Sequence, residues 1–294
     1  MHTQYQIGLR PYVINLEQMK LKIGFSTCPN DTFIFDAIVN KKIDTRGLEF
    51  EFLLADVEEL NNLAFNQELD ITKISFFAYA FVSQYYQILN SGSALGFKNG
   101  PLLISKKDLD FKSNKELSIA IPGEYTTANF LFSIAYPEHY NKQEYLFSEI
   151  ESAVSNNLVD TGLIIHENRF TYLSKGLKKL IDLGEYWEEK TKMPIPLGGI
   201  IIKRGIDIET KTLFNTVLRQ SIEYAFNNPE SPYHYMKSHA QEMTREIMYN
   251  HVNLYVNEFS RDLGKKGKQA IELLYKTAIK KKLIEKITTP IFAI

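Results

Sequence analysis

The chain has 294 residues, 44% of them hydrophobic and 23% charged, with a formal net charge of -1. That length holds one large domain or two of ordinary size, and the composition is that of a soluble globular protein. The near-zero charge gives no electrostatic footing for nucleic acid, and the single cysteine, Cys28, excludes both an internal disulfide framework and any multi-cysteine metal site.

No apolar run reaches the roughly 18 residues of a membrane span, so no stable membrane insertion is expected. The opening "MHTQYQIGLRPYVINLEQM" lacks a basic segment followed by an apolar one and does not read as a secretory signal. Together with the cysteine usage this predicts a cytoplasmic location. The compact pattern starts at Leu21, just after Met19, and residues 1–18 are expected to be an extension ahead of it, from an upstream start codon or added artificially.

"LKIGFS" (Leu21–Ser26) alternates as a short strand and stops at the polar turn "TCPNDT". In "FIFDAIVNKKI" the apolar residues recur at helical spacing, with Asp31 and Thr32 expected to cap the start. "LEFEFLLA" reads as a strand, "DVEELNNLAFNQ" as an amphipathic helix opened by Asp56, and "DITKISFFAYAFV" as a strand running into a helix. This βαβαβ alternation predicts a mostly parallel sheet with helices on its faces. "GPLLISKK" is a further strand, "ELSIAIPGEYTTANFLFSIAY" is strand, glycine turn and helix, and "DTGLIIHENRF" and "LGGIIIKRG" are two more strands. After residue 205 consecutive helical patterns follow with no strand among them, and the lysine-rich "KTAIKKKLIEK" reads as a solvated helix face.

Two strand-rich blocks without a flexible tether predict two α/β lobes joined by strands, with "GPLLISKK" and "GGIIIKRG" as crossovers. Residues 19–106 with 201–294 are expected to form one lobe and 107–200 the other. A ligand would sit in the cleft between them, because open α/β sheets bind ligands at the carboxyl ends of their strands.

Three strand ends point there. "ITKISFFAY" places Lys73, Ile74 and Ser75 at a strand–helix junction. "AIPGEYTTANF" places Thr126, Thr127 and Ala128 at a helix start, where free N–H groups attract an anion. "LIIHENRFTY" (Leu163–Tyr172) drives three aliphatic residues into His166, Glu167, Asn168 and Arg169. Taken singly, the hydroxyl residues are more often ordinary N-caps, and a lone histidine is more often a structural residue. His234 and His239, five apart, do not share a helix face as metal ligands do, and glycine-rich phosphate loops and a G-x-S-x-G elbow are absent. His251 and Tyr255 lie one helical turn apart and are expected to be packing residues; Cys28 is expected to be a small buried apolar residue.

Taken together, "SxCPNDTFxF" (Ser26–Phe35), "TKxSxxAYA" (Thr72–Ala80), "PGxxTTA" (Pro122–Ala128), "GLIIHExRFTY" (Gly162–Tyr172), "PIPLGGI" (Pro194–Ile200) and "HAQEM…HVNxYVNxFS" (His239–Ser260) closely resemble the 1,4-dihydroxy-6-naphthoate synthase family of the futalosine route to menaquinone. The resemblance runs from Leu21 to the last helix. It implies a two-lobed, periplasmic-binding-protein-like α/β fold (type II) with a helical C-terminal segment. It also implies a carbon–carbon lyase that converts cyclic dehypoxanthine futalosine to 1,4-dihydroxy-6-naphthoate, using no cofactor and no metal. The catalytic base of the family falls on His166, and its substrate contacts on Lys73–Ser75 and Thr127–Ala128. Chorismate dehydratase, a sister family with this fold, lacks the histidine segment, so "GLIIHENRFTY" favours the synthase.

The residues fit such a reaction. Removing a hydroxyl proton while a carbon–carbon bond breaks beside an aromatising ring needs one base with a pKa near the operating pH, which imidazole is expected to supply without large tuning. Ser75, Thr127 and Ala128 would orient the polyol and carboxylate, Phe76 or Tyr125 would stack on the rings or belong to the core, and lobe closure would exclude water. The rival from another class is a solute-binding protein, which the fold equally permits; a base that pure binding does not need stands against it.

Overall fold

A computed structural model of the chain describes residues 20–240 and 243–294. The expected extension, residues 1–18, lies outside the described residues.

The first block builds β1 (Lys20–Phe25), α1 (Pro29–Val39), β2 (Glu49–Leu54), α2 (Val57–Phe65), β3 (Ile71–Ser75) and α3 (Phe76–Val82), then two short strands, β4 (Tyr86–Ile88) and β5 (Ala94–Gly96). The second contains β6 (Leu102–Ser105), β7 (Ile119–Ile121), α4 (Thr127–Ala135), β8 (Lys142–Glu144), α5 (Ile150–Ser155), β9 (Thr161–Ile164), α6 (Asn168–Thr171), β10 (Lys178–Asp182) and α7 (Leu183–Thr191). The chain returns along β11 (Ile195–Lys203) and finishes in α8 (Ile208–Asn227), α9 (Tyr233–His239), α10 (Arg245–Tyr255), α11 (Glu258–Arg261) and α12 (Gly264–Lys280).

The strands form two sheets, one in the order β2-β1-β3-β11-β4 with β5 also on β11, the other β10-β6-β9-β7-β8. Pairs joined through helices, such as β1 with β2 and β7 with β9, are parallel. β11 runs antiparallel to β3, β4 and β5, and β6 antiparallel to β9 and β10, so the sheets are mixed rather than mostly parallel. The reason is connectivity: a strand arriving directly from the other sheet has no helical crossover to force a parallel approach. Within "GPLLISKK", β6 pairs in the second sheet and not the first, which shifts that crossover to residues 97–101.

Local chemistry explains the element starts that position the site. Asp56 caps α2 by accepting from the N–H groups of Glu58 and Glu59, as the sequence predicts. α1 differs: Pro29 takes the first helical position, the cap is Cys28, and Asp31 turns inward instead of capping. The last residues return to the sheet edge, where Ile88 donates to the carbonyl of Ile291 and accepts from Ala293, covering the exposed side of β4.

One apolar core spans both sheets, joining Ile74, Phe77 and Ile201 to Leu103, Phe130 and Leu163. Within it, Phe77 on α3 stacks on Phe130 of α4 at 5.0 Å. At the crossover Gly100 lies against the backbone of Gly184 so closely that a Cβ on Gly100 would stand 2.4 Å from it. Gly100→Ala is therefore expected to destabilise the fold by about 1–3 kcal/mol in urea denaturation. Gly205→Ala, where a Cβ meets nothing within 4 Å, serves as the control and should be nearly neutral.

Candidate active site

Between the sheets, at the carboxyl ends of β1, β3 and β9, lies a space of about 680 Å³ including its open mouth. Its size suits a small organic ligand. Lys73, Ile74, Ser75, Thr127, Ala128 and His166, far apart in the chain, all border it. Phe76 does not; it is wholly buried in the core. Tyr125 packs edge-on against Phe65 and Phe81, outside the cavity wall.

The floor is built on Asp31. Its carboxylate is 2.9 Å from the ammonium of Lys73, and it also accepts from the Ser26 hydroxyl at 2.7 Å, the Ser26 N–H at 3.2 Å and the Asn30 amide at 2.7 Å. Lys73 and Asp31 are both buried, so each charge depends on the other.

The hydroxyls divide by role. Thr126 is the N-cap of α4, accepting from the Asn129 N–H. Thr127 donates its hydroxyl to the Leu197 carbonyl of β11 at 2.7 Å, tying the two sheets together. What this helix start offers a ligand is the pair of first-turn N–H groups, of Thr127 and Ala128, with the remaining Thr127 lone pairs. Ser75 caps nothing; its N–H donates to Asn61 at 3.0 Å and its buried hydroxyl borders the cavity. Asn61 in turn donates to Glu58, which accepts from the Tyr125 N–H across the cleft at 3.3 Å. Gly123 makes room: with φ at +140° it leaves Glu58 where a Cβ would be. Burial raises the Glu58 pKa above its ordinary value.

The segment "HENRF" spends each polar side chain differently. His166 follows β9 in a left-handed conformation, φ 55°, which costs a non-glycine residue on the order of 1–3 kcal/mol. The ring meets the edge of Phe147 at 5.1 Å and stacks over His251 at 5.8 Å. Among the described residues neither ring nitrogen has a hydrogen-bond partner. Burial lowers its pKa to about 4, against the opposing pull of Asp31, so the imidazole is neutral. Asn168 donates to the Phe147 carbonyl, and Arg169 donates to the carbonyls of Gly100 and Lys98 and pairs with Asp182 at 2.8 Å.

His251 and Tyr255, expected as packing residues, belong to the site. Tyr255 borders the cavity, and the fully buried His251 ring lies beside both Tyr255 and His166. Their i, i+4 spacing marks a helix face, but only the return of α10 against α1 brings that face to the cavity. Asn99 is a further site residue with no signature of its own: buried, at the cavity wall, with a carbonyl oxygen that has no hydrogen-bond partner among the described residues. Cys28 is buried beneath the floor, and burial raises its thiol pKa well above the ordinary value. Among the described residues no group of three or more His, Cys, Asp or Glu is placed to hold a metal ion, and no helix is long and apolar enough to cross a membrane.

Across residues 21–280 the sequence matches the family described as Menaquinone biosynthesis. The chain belongs to that family. It is 40% identical to the 1,4-dihydroxy-6-naphthoate synthase of Thermus thermophilus over 92% of this chain and 98% of that protein. With the enzyme of the same name from Streptomyces coelicolor the identity is 38%, over 90% and 94%. The crystal structure of a protein from Archaeoglobus fulgidus superposes with a TM-score of 0.86 at 35% identity, over 90% of this chain and 98% of that one. A Candida albicans protein described as having the generic periplasmic binding protein fold superposes at 0.61 with 16% identity, over 93% and 97%. The architecture is thus the periplasmic-binding-protein-like one, two α/β sheets with a helical C-terminal part.

Removing one member of the buried ion pair leaves the other uncompensated. Lys73→Met is expected to destabilise the fold by about 3–5 kcal/mol, with Asp31→Asn/Lys73→Met recovering a measurable part of that loss in denaturant unfolding.

Proposed function

We propose that this chain is a 1,4-dihydroxy-6-naphthoate synthase: a carbon–carbon lyase acting on cyclic dehypoxanthine futalosine, with His166 as its general base. The observation that carries the assignment of the base is an imidazole at the wall of the interlobe cavity whose nitrogens have no hydrogen-bond partner among the described residues. The names borne by relatives at 38–40% identity support the substrate and product.

The step needs little more than that base. His166 takes the proton of a substrate hydroxyl, the O–H pair forms a carbonyl, the neighbouring carbon–carbon bond breaks, and its electrons flow into the ring system. The resulting imidazolium gains from the negative charge of Asp31, which acts on His166 against Lys73. Apolar walls such as Pro101, Ile165 and Leu197 suit a flat ring, while Ser75 and the first-turn N–H groups of α4 suit hydroxyl and carboxylate groups. The lobes, as we divide them, follow the sheets: residues 20–96 with 195–240 and 243–294, and residues 102–191.

His166→Asn should reduce naphthoate formation by at least about a hundredfold, mainly in kcat, with little change in Tm. If the purified chain instead binds the substrate tightly and never turns it over, a solute-binding role replaces the enzymatic one.

The pH dependence has a definite sign. Turnover should hold through neutrality and fall as pH drops through about 4, where His166 takes a proton. Unfolded, the same ring protonates near 6.5, so its contribution to stability is complete above that pH and is lost as pH falls toward 4. Denaturation of His166→Asn should show a flatter dependence between those values.

A further inference from the structure

Glu167 and His251 face each other across the cleft, and the geometry points to a hydrogen-bonded latch: Glu167 keeps a proton on its carboxyl, and that O–H donates a hydrogen bond to Nδ1 of His251 as the lobes draw together, which positions His166. This rests on the proposed role of His166 as the base.

Both atoms are orphans. Glu167 Oε2 and His251 Nδ1 are buried without a hydrogen-bond partner among the described residues, and they stand 4.0 Å apart, beyond a hydrogen bond and too close for a water between. Glu167 follows β9 of the second sheet, whereas α10 packs on α1 and β5 of the first, so the gap spans the two lobes.

The state of the histidine follows from its neighbours. The Asn30 amide nitrogen donates to Asp31, a carboxylate that only accepts, which turns Asn30 Oδ1 toward His251 Nε2 at 3.0 Å. Nε2 therefore carries the hydrogen, and Nδ1 of the neutral ring is a lone pair. A carboxylate opposite it would set two acceptors against each other; a carboxyl O–H satisfies both. Burial acts in the same direction, raising the Glu167 pKa and lowering that of His251.

Glu167 is faced by Glu151, Lys175, Cys28 and Tyr255 besides His251. His251 is faced by His166 and Lys73, whose positive charge opposes a second proton on its ring. The consequence for His166 is mechanical. It precedes Glu167 directly, in a left-handed turn, with its ring on the His251 face at an interplanar angle of 8°. Closing the latch draws the backbone at Glu167 and the face of His251 onto the base together.

The test compares Glu167→Ala with Glu167→Gln, whose amide donates to the same lone pair and cannot lose a proton. Glu167→Ala should lower kcat about tenfold to a hundredfold with KM little changed, as a misplaced base does. Glu167→Gln should recover kcat to within about threefold and abolish the fall in rate with rising pH that ionisation of the carboxyl is expected to cause in the wild type. A Gln variant as impaired as Ala, or one that keeps the alkaline limb, overturns the latch. A second readout needs no substrate: in protein with ¹⁵N-labelled histidine, the His251 signals, assigned with His251→Asn, should show hydrogen on Nε2 and an accepting Nδ1 at neutral pH. A doubly protonated His251 there would mean an ion pair and overturn the proposal. A wild type that makes no naphthoate yet shows this tautomer would count against the proposed activity alone.

Discussion

Asp31 takes four hydrogen bonds, from Ser26 twice, from Asn30 and from Lys73, on a carboxylate only 1% exposed. An ionised carboxylate removed from water costs several kcal/mol unless such partners replace its hydration. Meeting that requirement brings the end of β1, the first turn of α1 and the end of β3 to one point. It orients the Asn30 amide, and through it the His251 ring, and it sets a negative charge near His166. The polar floor is therefore one connected unit in which a change at any member is felt at His166.

The second requirement is that two lobes meet closely enough to hold a strained residue. Thr127 to Leu197, Tyr125 to Glu58, and Arg169 to the crossover carbonyls each link the lobes or tie the turn at His166 to the crossover between them. The apolar core beneath them is shared. The left-handed turn at His166 persists because its neighbours are pinned: Asn168 to Phe147, and Arg169 to Asp182 and the backbone of Gly100 and Lys98.

Much of this organisation is legible along the chain. The alternation in "LEFEFLLA", the cap at Asp56 and the strand–turn–helix of "AIPGEYTTANF" are short-range patterns, and they appear where periodicity places them. The clustering of Lys73, Ser75, Thr127 and His166 follows from a general property of α/β sheets, whose strand ends share an edge. The short strands β4, β5, β8 and β10 have no comparable pattern, because three to five residues give periodicity too little length to register. Asp31 escapes a local reading for a simple reason: a carboxylate at the start of a helix looks like a cap, and only a lysine 42 residues away turns it inward.

By itself, then, the sequence determined the βα units, their caps, the strand-end candidates and the resemblance to the menaquinone family, since these depend on neighbours within a few residues or on whole segments in order. Tertiary structure alone decided the antiparallel crossovers, the inward turn of Asp31, the recruitment of His251 and Tyr255, and the opposition of Glu167 to His251. Those depend on which helix face returns to which strand end. Such contacts are fixed by the packing of a shared core over separations of tens to hundreds of residues, where a local pattern carries no information about its partner.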